Sequence, residues 1–297
     1  MRGAERGFLL LTSHLGDPES KPLTVAQFRK LTALVRGMEK PKENRELTIS
    51  DLQALGYGRE MAQRILELLA RQELLEYYVN LAARTDCYPI TRISPLYPKS
   101  CLQKLGLDSP GCLWAKGDSA LLSRPAIALV GSRELGKDNA AFAAEAGRQA
   151  ALQGFVLISG NARGADRLAQ EGCLQAGGQV VSIVADSLEK CPDTPGVLYL
   201  SEDGFNMPFS APRALSRNRL VHSMAAATLV AQASFEKGGT WNGSVLNLRH
   251  HWSPLYCFRD GSEGVAALVQ MGAGEIGTEE LADLSGLARQ EISLFDQ

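Results

Sequence analysis

The sequence predicts an α/β protein: a Rossmann-like, doubly wound, mainly parallel sheet preceded by a small helical N-terminal domain. Three observations predict it. From Ala126 to Phe258, short apolar runs alternate with helical segments, the order expected of strand–helix–strand units. Those runs show little polar alternation, as strands buried on both faces do. Before residue 86 the apolar spacing is that of helices. The expected units are a helical domain over 1–85, a Rossmann-like domain over 86–275 and an acidic tail over 276–297.

In the helical part, Val25 to Met38 places apolar residues at 25, 28, 31, 34, 35 and 38, a helical stripe. Pro41 and its charged neighbours mark a loop. Thr48-Ile49-Ser50-Asp51 opens a further helix, with Ser50 or Asp51 as cap. Leu55-Gly56-Tyr57-Gly58 is a tight turn, and Met61 to Leu75 resumes a helix. This apolar-Gly-apolar-Gly pattern, followed by Ala62 and Ile65, resembles a helix-hairpin-helix, whose second helix can offer its N-terminus to a DNA phosphate. A simple packing hairpin is the competing reading.

From Ala126 the pattern changes. Ala126–Val130 reads as a strand, Asn139–Leu152 as a helix and Phe155–Ile158 as a second strand. The stretch LISGNARGAD then leads into a helix through Gln175. Gly178–Val184 and Val197–Ser201 are further strands, Arg219–Ala226 a short helix and Ala227–Ala231 a fifth strand. Gly243–Arg249 reads as helix and Pro254–Phe258 as the last strand.

Composition narrows the function classes. With 45% apolar and 22% charged residues the chain is an ordinary globular protein. No apolar run approaches the roughly 20 residues of a membrane span, and Gly7–Thr12 is too short for a secretory core; a cytoplasmic location is expected. The six cysteines lack C-x-x-C spacing and read as scattered thiols. His250-His251 is adjacent and so points its rings apart. No metal site and no cofactor is expected. Charge is uneven: residues 1–124 carry 18 Lys/Arg against 14 Asp/Glu, residues 125–260 carry 12 of each, and residues 261–297 carry 1 against 7. A net charge of −2 argues against indiscriminate coating of nucleic acid and permits one local basic groove.

Ligands of such sheets bind beyond the carboxyl ends of the strands, and three marked clusters fall there. They are Gly131-Ser132-Arg133, then Ser159-Gly160 with Arg163-Gly164 and Asp166, then Lys237-Gly238-Gly239-Thr240. Arg213 and Arg217-Asn218-Arg219 form a further cluster before the fifth strand. Glycines admit close backbone approach, helix N-termini attract anions, and arginine adds a forked donor suited to phosphate. Asp166 cannot itself bind an anion, so it is expected to cap its helix or orient Arg163. G-x-G-x-x-G after the first strand, the Walker sequence, the G-x-S-x-G elbow and H-E-x-x-H are all absent. The residues describe anion binding without an evident catalytic constellation.

These motifs resemble the DprA/Smf family of bacterial DNA-processing proteins, which act in natural transformation and recombination. GSR, SGNARGAD and RNRLVHSMAAATLVAQA carry the likeness, together with Ser94–Leu102, Gly111–Asp118 and the closing strand-and-helix segment Gly264–Ala273. The N-terminal domain, SAM-like or helix-hairpin-helix-like, is in keeping with the family. The resemblance implies a non-enzymatic protein that binds single-stranded DNA, forms a homodimer and helps load the recombinase RecA. It places Gly131, Ser132, Arg133, Ser159, Gly160, Arg163 and Gly164 at the phosphates, with Arg217, Asn218 and Arg219 as the family's RNR. Asp166, Lys237 and Thr240 would support them. Phe205 or Phe209 is a candidate for base stacking, with core packing the alternative for both. The chain departs from the family at Gln170, where a histidine is usual, at Ala185–Leu188 and at Gly238–Trp241. Two other readings stay open: a Rossmann-like protein for a nucleotide-derived ligand, as sensor or riboside hydrolase, and an interaction scaffold.

Overall fold

The computed structural model describes residues 1–17, 19–37 and 46–289. The end of the first predicted helix at Met38, the Pro41 loop and residues 290–297 of the acidic segment lie outside them.

The N-terminal helices are α1 (Gly3–Thr12), α2 (Val25–Arg36), α3 (Ile49–Ala54), α4 (Arg59–Leu69) and α5 (Gln72–Ala83). Leu11, Leu31, Leu52, Ala62, Ile65 and Leu68 bury a small core of their own. The cap of α3 is Thr48 rather than Ser50 or Asp51; its hydroxyl accepts from the Asp51 amide, and the Asp51 carboxylate accepts from the Thr48 amide. This reciprocal capping satisfies two amides that the first turn leaves open. The single helix expected over Met61–Leu75 is two, α4 and α5. At the break, Arg71 donates to the Leu10 carbonyl, to the Ser13 carbonyl at 2.9 Å and to Ser20 Oγ at 2.6 Å. One guanidinium therefore satisfies the carbonyl end of α1, a tertiary demand that local spacing does not reveal.

The remaining elements are β1 (Cys87–Thr91), α6 (Lys99–Leu105), β2 (Cys112–Lys116), β3 (Ala126–Val130), α7 (Lys137–Leu152) and β4 (Val156–Ser159). There follow α8 (Ala165–Gln175), β5 (Gln179–Ile183), β6 (Val197–Ser201), α9 (Ala211–Met224), β7 (Ala227–Val230) and α10 (Gly238–His250). The chain continues through β8 (Leu255–Phe258), α11 (Glu263–Gln270), β9 (Gly274–Ile276) and α12 (Leu284–Arg289). Among the described residues the strands form one sheet in the order β1-β2-β6-β5-β4-β3-β7-β8-β9. From β6 to β9 neighbours run parallel; β1 and β2 are antiparallel. This is the doubly wound, mainly parallel sheet that the sequence predicts.

Both faces are covered, as the apolar strands require. Ile127, Leu129 and Leu157 pack with Phe142 and Ala146 of α7 and Ala169 of α8. Ala128, Val130 and Ile158 pack on the other face with Leu220 and Val221 of α9, Trp241 of α10 and Val265 of α11. Alternate residues of one strand thus serve opposite cores.

Several elements differ from expectation. β1 and β2 are strands that the periodicity did not single out. α9 starts at Ala211, where Ser210 caps it and Pro212 occupies the first turn, eight residues before Arg219. α10 starts at Gly238 rather than Gly243. Pro254–Phe258 is not the last strand: α11 and then β9 follow, so the closing segment is helix before strand. Within the acidic segment, Leu281, Leu284 and Leu287 are buried against the α7 face of the sheet. Its charge is used as well, because Glu279 and Glu280 pair with Arg259 at 3.5 and 3.6 Å. No described helix is long and apolar enough to cross a membrane.

Candidate functional site

The sheet reverses its winding between β3 and β7, and a cleft of about 810 Å³ opens at the carboxyl ends of these strands. In open α/β sheets ligands bind at this point. The loop after β3 begins the cleft. The Ser132 amide donates to the Gln232 carbonyl at 3.1 Å, so the β3–β7 pairing extends past both strands. The loop after β4 lies directly on it: the Ala165 amide, first of α8, donates to the Ser132 carbonyl at 3.1 Å. Gly164 makes that approach possible. Its φ is +84°, and a β-carbon there would meet the Ser132 and Arg133 carbonyls at 2.5 Å.

Asp166 closes the second loop. It is 5% exposed, and Oδ2 accepts from the Ala162 amide at 3.1 Å. The charge that it faces is Arg217 of α9, with Arg133 more weakly coupled, and not Arg163. Burial raises the Asp166 carboxyl above its ordinary range, while Arg217 and the Ala162 and Gly160 amides pull it down. Arg217 is held at the cleft floor, where Nη1 donates to the Ile183 carbonyl at 2.7 Å. Its guanidinium lies over Gly160, in the space that a β-carbon would need. Burial lowers its pKa and the Asp166 carboxylate opposes that shift.

Of the sequence-predicted residues, Gly131, Ser132, Arg133, Gly160, Asp166, Phe209, Arg217, Asn218, Lys237 and Thr240 line this one cleft. Arg133 and Lys237 are exposed cations of its lining, and Phe209, 54% exposed, lines it as well. Asn218 Nδ2 donates to the Gly239 carbonyl at 3.0 Å and joins α9 to the first turn of α10.

The other predicted residues lie elsewhere. Ser159 is fully buried beneath the loop and accepts from Gln170 Nε2 at 2.6 Å. Gln170 also reaches Ser182 Oγ at 3.3 Å, so it ties β4 to β5. Gly164 supports the loop from behind. Arg163 is exposed outside the cleft lining. Arg219 pairs with Glu202 and donates to the Asp108 carbonyl, away from the cleft; two residues apart on a helix, 217 and 219 face opposite sides. Arg213 is a clamp for the 202–210 loop, reaching Asp203 and Ser201 Oγ, both at 2.8 Å. Phe205 is fully buried, 4.9 Å from Tyr78 and 5.6 Å from Trp114 between ring centroids, and has no face to offer a base.

Sequence reasoning missed His222, which also lines the cleft. It is 1% exposed, with Nδ1 3.3 Å from Thr228 Oγ1, which in turn lies 2.8 Å from Ser253 Oγ. Burial lowers its pKa to about 3. Once α9 begins at Ala211, helical spacing places 214, 218, 221 and 222 on the cleft side with 217.

Comparison with known proteins agrees with this architecture. A family model described as DNA recombination-mediator protein A matches residues 89–284. The chain is 30% identical over 204 residues to the DNA processing protein DprA of Streptococcus pneumoniae, covering 63% of this chain and 67% of that protein. It is 25% identical over 236 residues to protein Smf of Escherichia coli, covering 75% of this chain and 62% of that one. The solved structure of the Streptococcus pneumoniae protein superposes with a TM-score of 0.71 at 20% identity, over 97% of this chain and 99% of that one. The DNA processing protein A of Helicobacter pylori, solved for its single-stranded-DNA-binding mode, superposes with a TM-score of 0.56 at 23% identity, over 66% of this chain and 94% of that one. These superpositions establish the shared fold.

Proposed function

Because the chain belongs to the DNA recombination-mediator protein A family, we propose that its cleft binds single-stranded DNA and that the protein acts as a recombination mediator. One observation carries the reading. Exposed Arg133 and Lys237, half-buried Arg217 and exposed Phe209 line one cleft at the ligand-binding edge of the sheet. Cations can follow a phosphate backbone while an aromatic face takes a base, the combination that single-strand binding uses. Homodimerisation and loading of RecA belong to the same proposal, and family membership is their support.

Anisotropy of a labelled dT oligonucleotide across a salt series, with duplex competitor, tests the reading. Tight binding that weakens with salt and resists duplex is expected. No binding at low salt would reject it. Arg133→Ala should weaken binding and flatten the plot of log K against log salt by about 0.7, the value of one single-strand phosphate contact. An unchanged slope would remove Arg133 from the phosphate path.

Two buried polar side chains in the lining favour a second reading, a small nucleotide ligand. They are Asp166 and His222, which could read the polar groups of one ligand. Thermal stabilisation by mononucleotides in the absence of dT binding would select it.

A further inference from the structure

The loop that carries Phe209 also receives the helical N-terminal unit. Tyr78 of α5 is 3% exposed. Its ring stands edge-on to Trp114 of β2, 5.1 Å between centroids, and tilts on Phe205 at 4.9 Å. Its hydroxyl donates to Asn206 Oδ1 at 2.7 Å. Two glycines make room for it. A β-carbon at Gly16 would meet the ring, and one at Gly204 would lie 2.7 Å from the hydroxyl. Residues 202–210 contain neither helix nor strand, so side chains set the path of this segment. Beyond Asn206, the Phe209 amide donates to Asp186 Oδ1 at 3.1 Å, and Arg213 Nη1 donates to the Met207 carbonyl at 2.9 Å. Burial pushes the Tyr78 phenol well above its ordinary range, which favours the protonated, donating form.

We infer that Tyr78 is a positioning residue for the cleft: through its bond to Asn206, the helical N-terminal unit sets the place of Phe209 and thereby how firmly a base is held. The inference rests on the reading of the cleft as a single-stranded-DNA site. It gives the N-terminal unit a role in binding without requiring that it touch DNA. Tyr78 contacts the segment at Gly204, Phe205 and Asn206, and Phe209 leaves it three residues later, so the inference routes the effect through Phe209.

Tyr78→Phe keeps the ring and deletes the donor; Asn206→Ala deletes the acceptor from the other side. Both should be made in the full chain and titrated with a labelled dT oligonucleotide, alone and with Phe209→Ala. Each single variant should bind about threefold to tenfold more weakly, the scale of one net hydrogen bond, with the salt slope unchanged because no phosphate contact is lost. The two should not add to each other, and neither should weaken binding further once Phe209 is alanine. A Tyr78→Phe protein that binds as the wild type does would overturn the inference. So would penalties that multiply independently with Phe209→Ala, since a general loss of stability behaves that way. Failure of the wild type to bind any dT oligonucleotide is a separate result: it rejects the DNA reading and this inference with it.

Discussion

Gly160→Val should remove most single-stranded-DNA binding and cost about 1–3 kcal/mol of stability, the scale of an overpacked site whose neighbours must move. The substitution adds no charge and acts through Arg217. Its β-carbon falls in the space of the Arg217 guanidinium, which is anchored to the Ile183 carbonyl at 2.7 Å. The arginine must leave, and buried Asp166 then loses the positive charge opposite it. A tenfold or greater loss of affinity follows if the floor cation contributes about 1.4 kcal/mol. The sign of the pH effect is set by Asp166. Its carboxyl is raised in the folded state, so its ionisation opposes folding as pH rises and its protonation relieves that cost as pH falls. The stability deficit of Gly160→Val should therefore narrow in acid. Urea unfolding at two pH values and dT titration at neutral pH measure both effects. Gly58→Ala is the control, since its φ of −65° suits any residue and its β-carbon meets open space. Wild-type values for Gly160→Val would show that Arg217 does not occupy the floor in solution.

Stability should also fall between pH 6.5 and pH 4.5 because of His222, by about 3 kcal/mol from this residue alone. The ring is buried and its folded pKa is lowered to about 3. In the unfolded chain it takes up a proton near pH 6.5. Below that value the unfolded state binds a proton that the folded state does not, so each pH unit costs about 1.4 kcal/mol until the folded pKa is reached. His222→Leu deletes the titration and leaves Thr228 Oγ1 its contact with Ser253 Oγ at 2.8 Å. Urea midpoints of the two proteins should converge, or cross, as the pH is lowered. Parallel acid-induced losses would show that His222 is protonated in the folded protein.

The parallel strands β3 to β8 were legible because each buries both faces. Ala126–Val130 is apolar at every position and coincides with β3, and Val197–Ser201 coincides with β6. β1 and β2 hid for the opposite reason. CYPIT contains a proline and CLWAK a lysine. Lys116 is buried in β2 only because its ammonium reaches the Cys191 carbonyl at 2.8 Å and Asp193 at 3.0 Å. The early start of α9 was readable in principle, since Ser210 and Pro212 are start signals. At the site, loop glycines and cations were visible as types. Their pairing was not: Asp166 and Arg163 are neighbours in sequence, whereas the charge that Asp166 faces comes from α9, 51 positions further on. The division between Phe205 and Phe209 was equally hidden, because it depends on Tyr78 and Trp114 filling the space around the first ring.

The reversal of winding between β3 and β7 has a thermodynamic consequence. Segments 131–133, 209–218 and 237–242 meet there although the chain brings them from opposite halves of the sheet. A strand of DNA lying across them would act as a clasp on the seam of the sheet. Its binding energy would be shared with the hydrogen bonds that hold the seam, from the Ser132 amide to the Gln232 carbonyl and from the Ala231 amide to the Val130 carbonyl. Occupancy would then be recorded far from any phosphate, as slower hydrogen exchange at these two amides and a transition temperature that climbs with ligand concentration.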